Sequence, residues 1–222
     1  MPFNIAIDGP AGAGKSTIAK KVAEQLKYIY VDTGAMYRAM ALYMLNKGID
    51  PSDSETVAKE CDGADISIKY IDGVQCVFLN GENVNDKIRT NEVSDAASKT
   101  STVKEVRKKL VHLQQELAKS TDVVMDGRDI GTAVLPAADL KIYMTASSRV
   151  RARRRYDELT AKGVSCRLVD IEKEIIERDE RDMNREESPL KQAEDAIFLD
   201  TSDMTIEEVA SAILALKSER EV

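Results

Sequence analysis

The sequence predicts an α/β fold in which a five-stranded parallel sheet carries a small antiparallel insertion and a charged helical hairpin. Short apolar runs alternate with segments of helical periodicity, which is the pattern of parallel strands joined by crossover helices. The first run leads directly into a glycine-rich loop and a helix. One stretch of period-two alternation interrupts this rhythm and predicts the antiparallel insertion. The predicted strands are residues 3–8, 28–32, 122–126, 140–145 and 196–200.

Helices are predicted in the intervals between these strands. Apolar residues recur at helical spacing over residues 15–27, 35–47 and 103–119. A last helix is expected to begin near Thr205, because Thr205 and Glu208 have the spacing of a capping box.

The insertion is predicted to be a β-meander. Apolar residues alternate with polar ones between Asp65 and Val84, and the dipeptides Asp72-Gly73 and Asn80-Gly81 stand where the alternation breaks. Such dipeptides favour tight hairpin turns. We place the whole insertion at about residues 61–102.

The hairpin covers about residues 148–185 and is strongly charged, with Gly163 near its corner. A segment this polar is expected to pack weakly and to move as a lid. The remaining ranges, 1–60, 103–147 and 186–222, form the core of a single predicted domain. The hairpin begins with five arginines within seven residues, at Arg149, Arg151, Arg153, Arg154 and Arg155.

Composition narrows the possible partners and compartment. The net charge is −7, which disfavours binding to nucleic acid or to anionic membranes, since both are polyanions. No apolar run approaches the ~18 residues of a membrane span, and the N-terminus lacks the pattern of a signal peptide. The three cysteines lack metal-ligand spacing. We therefore expect a cytoplasmic protein.

The glycine-rich loop matches the pattern G-x-x-x-x-G-K-[ST] between a predicted strand and a predicted helix. Its backbone N–H groups and the helix N-terminus suit the binding of phosphate oxygens. Lys15 is expected to reach the β- and γ-phosphates of ATP, and Ser16 is expected to ligate Mg²⁺. The nucleotide-binding residues are Gly9, Pro10, Ala11, Gly12, Ala13, Gly14, Lys15, Ser16 and Thr17.

This loop alone indicates a nucleoside-triphosphate-binding protein and leaves its class open. The chain has no Asn-Lys-x-Asp motif for reading guanine, which disfavours a GTPase. We weighed a small-molecule kinase against a mechanical ATPase and a regulatory ATP-binding module. The kinase is preferred.

Two further motifs narrow the class of kinase. Asp32-Thr33-Gly34-Ala35-Met36-Tyr37-Arg38 follows the second strand, and Asp126-Gly127-Arg128-Asp129-Ile130-Gly131 follows the third. With the phosphate loop, the meander and a charged run at residues 177–185, the chain resembles the bacterial cytidylate kinases over nearly its whole length. The resemblance implies a five-stranded P-loop core with an insertion that binds the nucleoside monophosphate and a lid. It implies phosphoryl transfer from ATP to CMP or dCMP. We expect the protein to be a monomer.

The resemblance also implies roles for individual residues. Arg38 and Arg128 hold the acceptor phosphate, while Arg178 and Asp182 hold the ribose hydroxyls. Roles of Asp126 and Asp129 at Mg²⁺ or in orienting arginines stay open, as does which lid arginines contact ATP. The implied catalytic residues are Lys15, Arg128, Asp129 and Arg153, and the implied substrate-binding residues are Thr33, Tyr37, Arg38, Ser98, Arg107, Arg128, Asp129, Arg178, Asp182 and Arg185.

Base selection is implied to depend on Ser98, Arg107 and Arg185. Arginine only donates hydrogen bonds, so it suits the acceptors O2 and N3 of cytosine. How strongly UMP is excluded stays open. A general base is not required, because a phosphate monoester with a second pKa of about 6 is largely dianionic at neutral pH.

Overall fold

A computed structural model describes residues 2–71 and 73–220 of the 222-residue chain. The chain divides into two compact units. Unit 1 contains the described residues up to Tyr30 and from Thr121 onward, and unit 2 is Val31–Ser120. The elements are β1 Asn4–Asp8, α1 Lys15–Leu26, β2 Ile29–Asp32, α2 Thr33–Asn46, α3 Ser54–Glu60, β3 Ile66–Ile71, β4 Val74–Leu79, β5 Glu82–Asn83, α4 Asn91–Thr100, α5 Lys104–Ser120, β6 Val123–Gly127, β7 Leu140–Thr145, α6 Ser148–Ala161, α7 Leu168–Asn184, β8 Ile197–Asp200 and α8 Ile206–Glu219.

The main sheet confirms the predicted fold class. Its strand order is β2-β6-β1-β7-β8, and β1 pairs in parallel with both β6 and β7. All five strands lie where the apolar runs predicted them. Strand β1 is at the centre of the sheet, so the loop that follows it leaves from the middle of the carboxyl edge, where ligands bind in open α/β sheets.

The core of unit 1 lies between the sheet and the helices α1 and α8. It contains Ile5, Ile7, Ile18, Val22 and Ile213. The predicted capping box of α8 is confirmed. The Thr205 side chain accepts from the Glu208 backbone, and the Glu208 side chain accepts from the Thr205 backbone. Burying the apolar faces of α1 and α8 holds the start of α1, and with it the glycine-rich loop, at the sheet edge.

Unit 2 contains the meander and the helices α2 to α5. The meander has the strand order β3-β4-β5, with β3 and β4 antiparallel. The Asn80-Gly81 turn has positive φ at both residues (49° and 83°), as such a tight turn requires. Asp72 of the other predicted turn lies outside the described residues. The compact unit is wider than the 61–102 expected for the insertion, because α2 and α5 share its core.

Two helices of unit 2 were not predicted from the sequence. Helix α3 begins after Asp53, whose carboxylate accepts from Thr56 N–H, and α4 begins after Thr90, whose hydroxyl oxygen accepts from Val93 N–H. Both are short, and their apolar faces are formed mainly by alanine and valine. Side-chain caps of this kind stabilise helices whose burial is small.

The charged segment at residues 148–185 forms the predicted helical hairpin, α6 and α7. Its small apolar core contains Ala152, Ile171 and Ile175. Across the residues that the structure describes, every helix is too short or too polar to cross a lipid bilayer.

Candidate active site

The glycine-rich loop follows β1 and contains glycines whose positive φ angles disfavour other residues. Gly9 has φ of 148°, and a Cβ atom added there would lie 1.9 Å from the carbonyl oxygen of Met144 on β7. Gly14 has φ of 89° and stands at the N-terminal boundary of α1. Gly9 thereby lets the loop run close to the sheet, and the backbone N–H groups of such a glycine-rich loop can bind an anion.

Lys15 is the first residue of α1, and its ammonium group is buried inside the loop. Its Nζ donates to the carbonyl oxygen of Pro10 at 2.7 Å. Burial, followed by the nearby charge of Arg128, holds the pKa of Lys15 well below its usual value, while the carboxylates of Asp126 and Asp8 oppose that shift. A polyphosphate in the loop would supply the anionic partner that such a buried cation needs.

Asp126 receives two hydroxyl groups near the end of β6. Ser16 Oγ donates to Asp126 Oδ2 at 2.8 Å, and the Tyr30 hydroxyl donates to Asp126 Oδ1 at 2.8 Å. A serine hydroxyl beside a carboxylate is a set of hard oxygen donors of the kind that Mg²⁺ uses alongside phosphate oxygens and water. The arrangement therefore fits the predicted role of Ser16 toward magnesium.

Asp8 connects the end of β1 to the segment that follows β6. Its two carboxylate oxygens accept from the backbone N–H groups of Ile130 and Gly131, both at 2.7 Å. These residues begin a π-helical turn, Ile130–Val134. Burial raises the pKa of Asp8 to about 6, in spite of the two N–H donors. Sequence reasoning assigned Asp8 no role, although its position directly before Gly9 was an available signal.

The two predicted residues after β6 are paired with residues of α7 and its C-terminus. Arg128 Nε lies 2.8 Å from Asp182 Oδ2, and Arg185 Nη2 lies 3.3 Å from Asp129 Oδ1. Burial would raise the pKa of Asp182, but the charge of Arg128, helped by Arg178, brings it below its ordinary value. Arg185 follows the last helical residue of α7 and has extended backbone.

The base of the hairpin is attached to the glycine-rich loop. Arg151 Nη1 lies 2.6 Å from Asp179 Oδ2 and donates to the Ala11 carbonyl at 2.9 Å. Arg154 Nη1 donates to the Ala13 carbonyl at 3.4 Å, and its Nη2 donates to the Thr201 carbonyl at 2.7 Å. The expectation that the whole hairpin packs weakly is therefore wrong at its base, where the arginines are partly or fully buried.

Arg153, which was predicted to be catalytic, lies at the surface, unlike Arg151 and Arg154. Its side chain is 65% exposed and forms an i,i+4 ion pair with Asp157. Arg149 is exposed, and Arg155 pairs with Glu158 on the same helix. The structure thus brings Arg151 and Arg154 to the glycine-rich loop, and it leaves Arg153 at the surface. In the sequence, the arginines of α6 lie on more than one face of the helix, so their spacing did not indicate which of them contacts the loop.

In unit 2, the start of α2 contains three of the predicted substrate-binding residues. Asp32 caps this helix by accepting from Ala35 N–H at 2.9 Å, and its other carboxylate oxygen lies 3.1 Å from Arg38 Nη2. Thr33 is the first helical residue and is buried, and Tyr37 lies one turn further along. The motif that follows β2 therefore builds a helix cap that holds an arginine.

Two other predicted residues of unit 2 are buried on neighbouring helices. The guanidinium carbon of Arg107 on α5 lies 5.7 Å from the ring centroid of Tyr37, a cation–π contact. Ser98 on α4 is buried, and its Oγ has no hydrogen-bond partner among the described residues. Buried polar atoms are nearly always paired, so Ser98 is suited to a polar ligand.

These observations agree with the similarity of the chain to known proteins. The chain is 54% identical to the cytidylate kinase of Caldicellulosiruptor bescii over 96% of this chain and 95% of that protein. It is 48% identical to the cytidylate kinase of Shouchella clausii over 98% and 96% of the two chains. In fold it is similar to a gluconokinase from Sinorhizobium meliloti, with a TM-score of 0.53 and 14% identity over 99% and 94% of the two chains.

The family model for cytidylate kinase matches residues 5–219, which include both units, the meander and the hairpin. Its range contains the glycine-rich loop, the two motifs that begin with Asp32 and Asp126, and the charged run at residues 177–185. The chain belongs to the cytidylate kinase family.

Proposed function

We propose that this protein transfers the γ-phosphoryl group of ATP to CMP, giving ADP and CDP. The observation that carries the proposal is the match to cytidylate kinases along almost the whole chain, with the phosphate loop and both aspartate motifs inside it. In this reaction, an oxygen of the acceptor phosphate forms a bond to the γ-phosphorus, while the bond from that phosphorus to the β,γ-bridging oxygen breaks.

The glycine-rich loop binds the triphosphate in this proposal. Lys15 is assigned to the transferred group, where its ammonium, now hydrogen-bonded to the Pro10 carbonyl, would turn to the phosphate oxygens and stabilise the charge that develops in the transition state. Ser16 and Asp126 would hold Mg²⁺, which when bound would neutralise part of the phosphate charge. Arg151 and Arg154 keep the loop in shape through its carbonyl groups. Arg153 would act from the lid.

Arginines bind the acceptor phosphate in this proposal, and a general base is unnecessary. Arg38 and Arg128 are assigned to that phosphate, because a guanidinium group keeps its charge and matches phosphate geometry. Asp129 orients Arg185, with which it pairs. The acceptor is largely dianionic near neutral pH, since its second pKa is about 6. The attacking oxygen thus carries no proton that a side chain must remove.

The base and the sugar are assigned to a third group of residues. Arg107 and Arg185 donate to the O2 and N3 acceptors of cytosine, and Ser98 Oγ accepts from the 4-amino group. The buried and unpartnered Ser98 Oγ supports this assignment. Arg178 and Asp182 bind the ribose hydroxyls, and Thr33 and Tyr37 line the same nucleotide. The sugar contributes less than the base, so dCMP is proposed to be a second substrate.

We also propose that the protein works as a cytoplasmic monomer on small nucleotides, without nucleic acid or membrane partners. The net charge of −7 and the three free cysteines support this proposal. A single species of about one chain mass in light scattering, unchanged by added DNA or anionic vesicles, is the expected result.

The test of the function is a coupled ADP-release assay with ATP, Mg²⁺ and each of CMP, dCMP, UMP, AMP and GMP. We expect rapid ADP release with CMP and dCMP and little with the other three. ATP binding without turnover of any monophosphate would indicate a regulatory ATP-binding protein. Turnover with AMP or GMP alone would assign the chain to another kinase.

A further inference from the structure

The meander is the part of unit 2 to which the proposed reaction assigns no role. Its central strand, β4, places Gln75, Val77 and Leu79 on one face, because side chains alternate along a strand. Val77 and Leu79 belong to the apolar core of unit 2. Gln75 is half-buried at the outer end of the same face. A polar residue on a core-facing edge usually has a specific partner.

The partner of Gln75 is the main chain of Asp32. Gln75 Oε1 accepts from Asp32 N–H at 2.7 Å, and Gln75 Nε2 donates to the Asp32 carbonyl at 3.2 Å. One amide side chain therefore satisfies both backbone groups of one residue. This two-point contact fixes the position of Asp32 and also its peptide orientation.

Asp32 in turn orients the arginine assigned to the acceptor phosphate. Its carboxylate oxygen Oδ2 lies 3.1 Å from Arg38 Nη2 and 3.6 Å from Arg89 Nη2. Two guanidinium groups share one carboxylate, so the three side chains together carry one unmatched positive charge. Arg89 is 62% exposed, which leaves it accessible to an anion. Such a cluster suits a dianionic phosphate monoester.

The strand that carries Gln75 is itself held in place by Asn85, which follows β5. Asn85 Nδ2 donates to the Gln75 carbonyl at 3.0 Å, and Asn85 Oδ1 accepts from Val77 N–H at 2.9 Å. Hydrogen bonds thus run without a break from the meander to Gln75, to Asp32 and to Arg38. Supporting contacts of this kind hold a binding side chain near its productive geometry.

We propose that Gln75 is a positioning residue for the acceptor phosphate, and that the meander thereby sets the affinity of the enzyme for phosphate monoesters. Gln75 fixes the Asp32 peptide, from which Arg38 and Arg89 are held by one carboxylate. This inference rests on the proposed function, because there Arg38 is assigned to the phosphate of CMP.

The first test compares Gln75→Met with the wild type in steady-state kinetics. Methionine keeps the volume of the side chain and removes both hydrogen bonds. We expect KM for CMP to rise about tenfold, as for the loss of roughly one net hydrogen bond. KM for ATP and kcat should change less than about twofold. The inhibition constant of cytidine, which lacks the phosphate, should also stay within about twofold, since Gln75 acts on the phosphate alone.

Two variants serve as references. Gln75→Glu keeps the oxygen that accepts from Asp32 N–H but places a charged acceptor against the Asp32 carbonyl, so its KM for CMP should rise at least as much as that of Gln75→Met. Ser67→Ala changes an exposed residue of β3 in the same meander and should leave all constants unchanged. An unchanged KM for CMP in Gln75→Met overturns the inference. So does a parallel rise of every constant together with a lower Tm, because that result indicates a merely structural role.

A mutant cycle shows whether Gln75 acts through Arg38 and Arg89. In an Arg38→Ala, Arg89→Ala background, Gln75→Met should raise KM for CMP by less than about twofold, since both residues that it positions are already absent. A full tenfold rise in that background contradicts the inference. Binding of CMP without ATP, measured by calorimetry, separates the two proposals. If the wild type binds CMP but does not phosphorylate it, the proposed kinase activity is refuted. In that case, weaker binding of CMP by Gln75→Met still supports the positioning role of Gln75, and unchanged binding contradicts it.

Discussion

The glycine-rich loop of unit 1 and the residues of unit 2 that are proposed to bind the acceptor nucleotide satisfy their polar groups in different ways. Around the loop, buried charges have partners within the protein, such as Arg151 with Asp179 and Arg128 with Asp182. In unit 2, Ser98 Oγ and Arg38 Nε are buried and have no hydrogen-bond partner among the described residues. The loop is therefore shaped by the protein itself, while unit 2 presents groups that a ligand can satisfy. Substitutions near the loop should affect stability or chemistry, and those in unit 2 should affect affinity.

The largest effect is expected from Lys15→Met, which removes the buried ammonium and keeps most of its volume. Loss of one donor at developing charge typically lowers kcat by about 10²–10³-fold. Stability should not fall, because a buried cation with a depressed pKa is costly to desolvate. The measurements are coupled kinetics and Tm.

Lys21→Ala is the control: this lysine of the same helix is partly exposed and pairs with Glu207, so the variant should retain wild-type kcat. Turnover of Lys15→Met at the wild-type rate would show that the loop does not bind the transferred group.

Arg151 and Arg153 lie on the same helix, α6, and differ in burial, so their substitution should have different effects on stability. Arg151→Met leaves the Asp179 carboxylate buried without its cation, since the two side chains are only 7% and 9% exposed. Breaking such a pair costs about 3–5 kcal/mol of unfolding free energy. Arg153→Met removes an exposed i,i+4 pair, which is worth about 0.5 kcal/mol or less.

Urea denaturation of both variants measures this difference. Arg153→Met should also lower kcat at unchanged stability, as its proposed action on ATP requires. Equal stability losses in the two variants would contradict a stabilising role of the buried Arg151–Asp179 ion pair. Wild-type kcat in Arg153→Met would remove Arg153 from the catalytic residues.

A smaller effect concerns Asp8 and pH. The pKa of Asp8 is 3.8 in the unfolded chain and about 6 in the folded protein. Between pH 3.8 and 6 the folded protein therefore binds more protons than the unfolded chain. The contribution of Asp8 to stability is thus complete below about pH 4 and is lost as pH rises through 6. Relative to Asp8→Asn, the wild type should lose about 2 kcal/mol of unfolding free energy between pH 4.5 and 7. A difference that is constant over this range would show that burial does not perturb Asp8.

The sequence was sufficient for the sheet because each strand is a short apolar run next to a turn or loop signal. Strand β1 with Gly9 and Lys15 is the plainest case, since periodicity and motif agree there. The short helices α3 and α4 were not predicted, because caps and tertiary packing define them. Both helices are too short for apolar periodicity to identify them in the sequence.

The site was predictable only in part, for a physical reason. Motifs pick out residues whose chemistry suits phosphate binding, such as Arg38 and Arg128, but they do not show which of several arginines in one helix is buried. Arg151 and Arg153 are chemically identical in the sequence, and only packing against the loop separates them. Gln75 had no signal at all, because its partner is a main chain 43 residues away.

The proposed recognition of cytosine by Ser98, Arg107 and Arg185 is tested most directly by kcat/KM for CMP and UMP. Uracil places an N3–H opposite an arginine donor, and each buried unpaired group costs roughly 1–3 kcal/mol. We predict that the wild type prefers CMP by about a hundredfold or more. Arg107→Met should narrow this preference to less than about tenfold, while Lys108→Met, exposed on the same helix, should preserve it. A wild-type enzyme that uses UMP as well as CMP would contradict the account.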